Sequence, residues 1–148
     1  TELTLIRQGE VISSKSFKIG TVRLLNNMVQ DSEFEDYKNW IVTHTKSVQR
    51  ISVVGSGGTI NKVFKLTGRK IGKPLSFMLL SEQHEFLKKR SQKELMVDLE
   101  LNPDRADVIV PAVQIYLTAM KCSESNKIYV PKVGLADGMI KLLYKELH

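Results

Sequence analysis

A single cysteine, Cys122, among 148 residues excludes any internal disulfide and suits a compartment that keeps thiols reduced. Long hydrophobic runs are missing too. Nothing approaches the roughly 18–20 apolar residues that a membrane-spanning helix requires, so a soluble cytoplasmic protein with no membrane partner is expected. The opening residues, Thr1-Glu2-Leu3-Thr4-Leu5-Ile6, contain no basic segment and too short an apolar stretch for a secretory signal. With no initiator methionine, the expectation is a terminus cut from a longer chain. His44, His84 and His148 are the only three histidines, and they lack the mutual spacing and cysteine neighbours of a zinc motif. Aromatic residues make up 7% of the chain and do not interleave with basic ones as a stacking surface for nucleic acid requires, so no nucleic-acid partner is expected. No repeat, low-complexity tract or linker divides the sequence, which therefore reads as a single domain over 1–148.

An apolar content of 42% is enough to bury a core and excludes a disordered tail. Lysine and arginine number 22 against 16 acids, a formal charge of +6. Such a surface favours polyanions such as nucleotides or polyphosphate, and equally describes many cytosolic domains without an anionic partner.

Leu3–Ile6 and Val11–Ser14 flank Gln8-Gly9, a hairpin in which glycine supplies the positive φ of a tight turn. The second strand is expected to continue toward Ile19 and stop at Gly20. Thr21–Leu25 reads as a short helix capped by Thr21. Phe34, Tyr37, Ile41 and Val48 recur at helical spacing across 33–48, with Trp40 on or beside that face. Ile51–Val54 reads as a strand, and a helix carrying Ile60, Val63, Phe64 and Leu66 follows a glycine loop. After an apolar run at Phe77–Leu80, Ser81 reads as the cap of a helix ending near Arg90. Helices are then expected over about 93–99 and 104–122, the second carrying Val113, Ile115, Tyr116 and Met120 and too apolar all round for the surface. A last strand falls at Lys127–Val130 and a last helix at Gly138–Leu147. Strands alternating with helices after a hairpin indicate an α/β sheet with helical cover.

Chemistry concentrates at Gly55-Ser56-Gly57-Gly58-Thr59. Glycines between a strand and a helix let backbone N–H groups approach an oxyanion, and the helix N-terminus adds partial positive charge. Ser56 and Thr59 supply hydroxyl donors. The other reading is a tight turn with Thr59 as cap, since neither the phosphate-loop lysine pattern nor a G-x-G-x-x-G spacing is present. Gly134-Leu135-Ala136-Asp137-Gly138 also links a strand to a helix, with turn and cap chemistry at Asp137 as its simplest account. Arg105, a cation in a first helical turn, either pairs with Asp104, Asp107 or Glu100 or has a partner in a cleft. Cys122, closing an apolar helix, reads as a buried small hydrophobe.

Taken in order, these blocks resemble the Ppx/GppA phosphatases, the exopolyphosphatases and guanosine pentaphosphate phosphohydrolases. The blocks are Thr1-Glu2 before a hairpin, Lys18–Leu24, Val54–Thr59, Asp104–Pro111 and Gly134–Met139. The resemblance covers essentially the whole chain. It implies one ribonuclease-H-like lobe of the actin-like, sugar-kinase and Hsp70 ATPase fold, a mixed sheet with helices on both faces. It further implies that this is the second, carboxy-terminal lobe of two, without its first strand, the first phosphate loop or the amino-terminal lobe with its own acidic residue. The implied reaction is attack of water on the terminal phosphoryl group of polyphosphate or of guanosine penta- or tetraphosphate, aided by Mg2+. Glu2 would position water or magnesium, Gly55, Ser56, Gly57, Gly58 and Thr59 would hold phosphate, and Gly20, Arg23, Arg105 and Gly134 would support the cleft. Ala136 stands where the family commonly has arginine, with Asp137 for glutamate and Ala112 for a glycine after Pro111, so no anion contact is carried over to that tail. The fragment alone is expected to hydrolyse nothing, and the unpaired hairpin edge leaves room for a homodimer. The rival expectation is a noncatalytic phosphate- or nucleotide-sensing module of the same fold.

Overall fold

The computed structural model describes residues 1–147. Strands β1 (Glu2–Arg7) and β2 (Glu10–Ser16) form the hairpin, pairing Leu3 with Lys15 and Leu5 with Ser13 before the register shifts between Leu5 and Ile6. Its turn stands on Gln8 at φ 54° and Gly9 at φ 86°, the left-handed pair that matches strand twist. The second strand ends at Ser16, short of the expected reach to Gly20. There the chain bends to bury Phe17 and Ile19, and the Phe17 N–H donates back to the Thr1 carbonyl at 2.7 Å.

Helices α1 (Thr21–Leu25) and α2 (Asp31–Thr45) follow, then β3 (Val53–Val54), α3 (Gly58–Leu66), β4 (Leu75–Ser76) and α4 (Phe77–Lys88). After these come α5 (Gln92–Val97), α6 (Pro103–Ala106), α7 (Ile109–Cys122), β5 (Lys127–Tyr129) and α8 (Leu135–Leu147). The central sheet is mixed, in the order β3-β5-β4, with β3 parallel to β5 and β4 antiparallel to it. Among the described residues no ladder joins the hairpin to this sheet.

Capping explains several boundaries. Ser76, not Ser81, caps α4, its hydroxyl accepting the Leu79 N–H at 3.1 Å, so the apolar run Phe77–Leu80 is helical from its first residue. Gly20, not Thr21, occupies the cap position of α1, without a side-chain bond. A reciprocal box between Ser91 and Glu94 starts α5, and Pro103 opens α6, where its missing N–H costs nothing. The long helix expected from Asp104 is broken by a turn at Asp107 and Val108, because Pro111 has no N–H for the Asp107 carbonyl, and the chain restarts as α7.

Helix α7 lies between two cores, which is why it is apolar all round. One core joins Ile60, Val63, Phe64, Leu75, Leu80, Leu87, Ile109, Val113, Met120 and Ile128. The other joins Phe17, Ile19, Tyr37, Ile41, Ile115 and Ala119, with Trp40 packed against it. The Tyr37 hydroxyl ties α2 to α7 by donating to the Ile115 carbonyl at 3.2 Å. No described helix is long and apolar enough to cross a membrane.

One buried group makes stability depend on pH. His84 on α4 is 8% exposed, and burial holds its pKa below the usual value, with Lys88 adding to the effect and Glu85, 3.6 Å away, opposing it. The folded pKa is depressed, so the neutral ring's contribution is complete above the unfolded value of about 6.5. It is lost as pH falls through the folded pKa. Denaturant unfolding is therefore expected to show less stability at pH 5 than at pH 7, and His84→Gln is expected to shrink that difference. An unchanged difference in the variant would assign the pH dependence to other groups.

Candidate functional site

The glycine loop begins inside the sheet and ends on a helix. Gly55 is buried, and its N–H donates to the Tyr129 carbonyl at 2.9 Å, so this amide is occupied by β5. A Cβ at Gly55 would lie 3.0 Å from Ile128, 3.1 Å from Tyr116 and 3.3 Å from Ile60. Close packing, rather than access to a ligand, accounts for this glycine. Gly57 sits at the cap position of α3 with φ 120° and ψ 160°, a combination essentially confined to glycine. Neither it nor Thr59 makes a side-chain cap bond, so the cap role open to Thr59 is not used. Helix geometry leaves the first N–H groups of α3 without intrahelical acceptors. Among the described residues the amides of Ser56, Gly57, Gly58 and Thr59 donate to no protein group.

Tyr116 of α7 grips this loop, its hydroxyl donating to the Ser56 carbonyl at 2.8 Å. Burial pushes its pKa up, keeping the hydroxyl protonated and a donor. Arg105 of α6 reaches the same place from another side. A Cβ at Gly58 would lie 3.1 Å from its guanidinium, which thus covers the first residue of α3. The expected pairing with Asp107 or Glu100 does not form. Asp107 accepts the Gln92 side chain, and no ion pair to Arg105 is made among the described residues; the side chain of Asp104 lies outside them. A guanidinium beside the positive end of a helix, with no carboxylate bonded to it among the described residues, is an electrostatic arrangement that an anion would relieve.

The loop borders two cavities. One, of about 450 Å³, is lined by Thr1, Glu2, Leu3, Gly20 and Thr21 on one side and by Val53, Val54 and Ser56–Thr59 on the other, with Tyr116 in its wall. This cavity brings Glu2, Gly20 and the loop together, with Glu2 the acid of its wall among the described residues. Arg23 is not among the lining residues; it is exposed in the last turn of α1. The second cavity, of about 610 Å³, joins Ser56, Gly57 and Gly58 to Asn61, Lys132, Val133 and Gly134. Gly134 therefore reaches the opposite flank of the loop, while its N–H is taken by the Asp137 carboxylate at 2.7 Å. That is the turn-and-cap chemistry read for this segment. No cluster of three or more metal-ligating side chains exists among the described residues. Glu2 offers one carboxylate, which fits magnesium only in the manner common for that ion, held by one or two carboxylates together with substrate phosphates.

Two residues escape sequence reasoning. Tyr116 hides among the apolar positions of α7, and its polar end leaves no pattern. Lys132, at φ 56°, follows a proline in an irregular segment with no periodicity.

Unpaired amides at a strand–loop–helix junction of a mixed α/β fold, with a carboxylate on the same cavity, form an arrangement suited to an oxyanion. The chain belongs to the Ppx/GppA phosphatase family, whose pattern it matches over residues 1–147. It is similar to the crystal structure of the Aquifex aeolicus member of that family, with a TM-score of 0.76 at 21% identity, covering 99% of this chain and 54% of that one. It is likewise similar to an exopolyphosphatase from Cytophaga hutchinsonii, with a TM-score of 0.72 at 20% identity, covering 98% and 54%. The chain thus spans about half the length of these solved relatives. No curated protein sequence matches.

Proposed function

We propose that this chain is one lobe of a phosphohydrolase that releases the terminal phosphate of inorganic polyphosphate or of pppGpp in the cytoplasm, and that it is inactive alone. The observation that carries the reading is the row of unpaired amides from Ser56 to Thr59, in residues that line the cavity shared with Glu2, with the Arg105 guanidinium beside Gly58. Phosphoryl transfer asks for charge neutralisation and alignment more than covalent catalysis. The loop amides and the Ser56 and Thr59 hydroxyls would hold phosphate oxygens, and Arg105 would offset their charge. Glu2 would orient the attacking water or contribute one ligand to Mg2+, which when bound neutralises charge on the phosphate oxygens. A second lobe would supply the opposing loop and a further acid.

A noncatalytic phosphate-sensing module is the second reading, favoured by the single carboxylate on the cleft. The test is phosphate release from polyphosphate and from pppGpp with magnesium. The 148-residue chain is expected to release none, and a two-lobe form of the relatives' length is expected to turn over. Turnover by the short chain, in a preparation free of contaminating phosphatase, overturns the one-lobe reading; inactivity of both forms supports the sensing module.

A further inference from the structure

We infer that Tyr116 is a positioning residue that fixes the direction of the Gly57 amide, an inference that rests on the phosphate site proposed above. A trans peptide points its carbonyl and its N–H in opposite directions, and the chain contains no cis peptide among its described residues. The Ser56 carbonyl is held by the Tyr116 hydroxyl at 2.8 Å. The N–H of the same peptide unit belongs to Gly57 and must therefore face away from α7, toward the open side of the loop. Without that bond the unit has little to hold its orientation. Gly57 has no Cβ, nothing lies within 4 Å of where one would be, and its φ of 120° lies where glycine alone moves freely.

Tyr116 is itself well anchored. Its ring lies against Gly55, 3.1 Å from a would-be Cβ, and Gly55 is tied to β5 through Tyr129. One side chain thus reads the position of the sheet at Gly55 and imposes an orientation two residues later. The donor set for an anion is then ordered before the anion arrives, which removes part of the cost of binding it.

The experiment is a titration of the 148-residue chain with inorganic phosphate at constant ionic strength, followed by amide NMR, in wild type and Tyr116→Phe. Phenylalanine keeps the ring against Gly55 and removes only the hydroxyl. In the wild type, the amides of Gly57, Gly58 and Thr59 are expected to shift. In the variant, phosphate is expected to bind about tenfold more weakly, the worth of one well-placed hydrogen bond, and the Gly57 response is expected to shrink more than those of Gly58 and Thr59. The thermal midpoint is expected to stay within about 4 °C of wild type. A merely structural role would lower the midpoint and scale all three responses alike, which overturns the inference. Equal affinity and equal Gly57 response in the two proteins also overturns it while leaving the phosphate site standing. A wild-type loop indifferent to phosphate removes the site, and the inference with it.

Discussion

Gly57→Val is expected to abolish phosphate binding at the loop and, in a two-lobe form, to abolish turnover. Gly57 holds φ 120° and ψ 160°, with nothing within 4 Å of where a Cβ would stand, so the substitution fails through its dihedrals rather than through a clash. A branched residue forced into that region costs on the order of 1–3 kcal/mol, and the chain escapes by rotating the peptides on either side. Those are the peptides whose N–H groups form the anion row. The loss in phosphate affinity should exceed tenfold, read by the same amide titration, and the core should remain folded because the loop is exposed. Gly58→Ala separates dihedral strain from added bulk at the same row. Its φ is ordinary, and the added methyl meets only the movable end of Arg105 at 3.1 Å. A Gly57→Val protein that binds phosphate as wild type does would make the loop a turn and nothing more.

Phe64→Ala is expected to produce the largest loss of stability. Phe64 is 1% exposed in the core shared by α3, α4 and α7. Removing a buried phenylalanine costs about 3–5 kcal/mol in lost burial and cavity formation. For a domain of this size that lowers the thermal midpoint by about 10 °C. Thermal unfolding followed by circular dichroism measures it, and a shift under about 3 °C would show that the core closes over the gap. The same substitution leaves the loop amides in place, so phosphate binding below the transition should persist.

Local chemistry decided which features the sequence made legible. Gln8-Gly9 announced its hairpin because the turn demands two left-handed residues and receives them at φ 54° and 86°. The α3 helix was legible because Ile60, Val63 and Phe64 fall on one face and all three are buried. Phe77–Leu80 misled because a short apolar run has the same composition in a buried strand and in a helix. In this segment only Leu75 and Ser76 pair with β5, and the Ser76 hydroxyl then commits the chain to helix. The break between α6 and α7 does have a sequence signal, Pro111, whose missing N–H and ring disfavour unbroken helix through Asp107 four residues earlier. At the site, the Gly55–Thr59 loop was readable from composition, but the division of labour within it was not. Gly55 serves packing and Gly57 serves backbone geometry, and only the neighbours Ile128, Tyr116 and Ile60 tell them apart. Arg105 was visible as an odd cation, and its place over Gly58 depends on a contact across 47 residues that no local pattern encodes.

The separation of the hairpin from the central sheet has a further consequence. Strand β3 has β5 on one side only and β1 has β2 on one side only, so each leaves a row of main-chain donors and acceptors without a strand partner among the described residues. Residues of both, Leu3 and Val53 among them, line a single cavity. An ordinary exposed edge offers an incoming segment one ladder. Both open edges therefore border the same cavity as the Ser56–Thr59 loop, so an extended segment docking on either would alter that loop's surroundings.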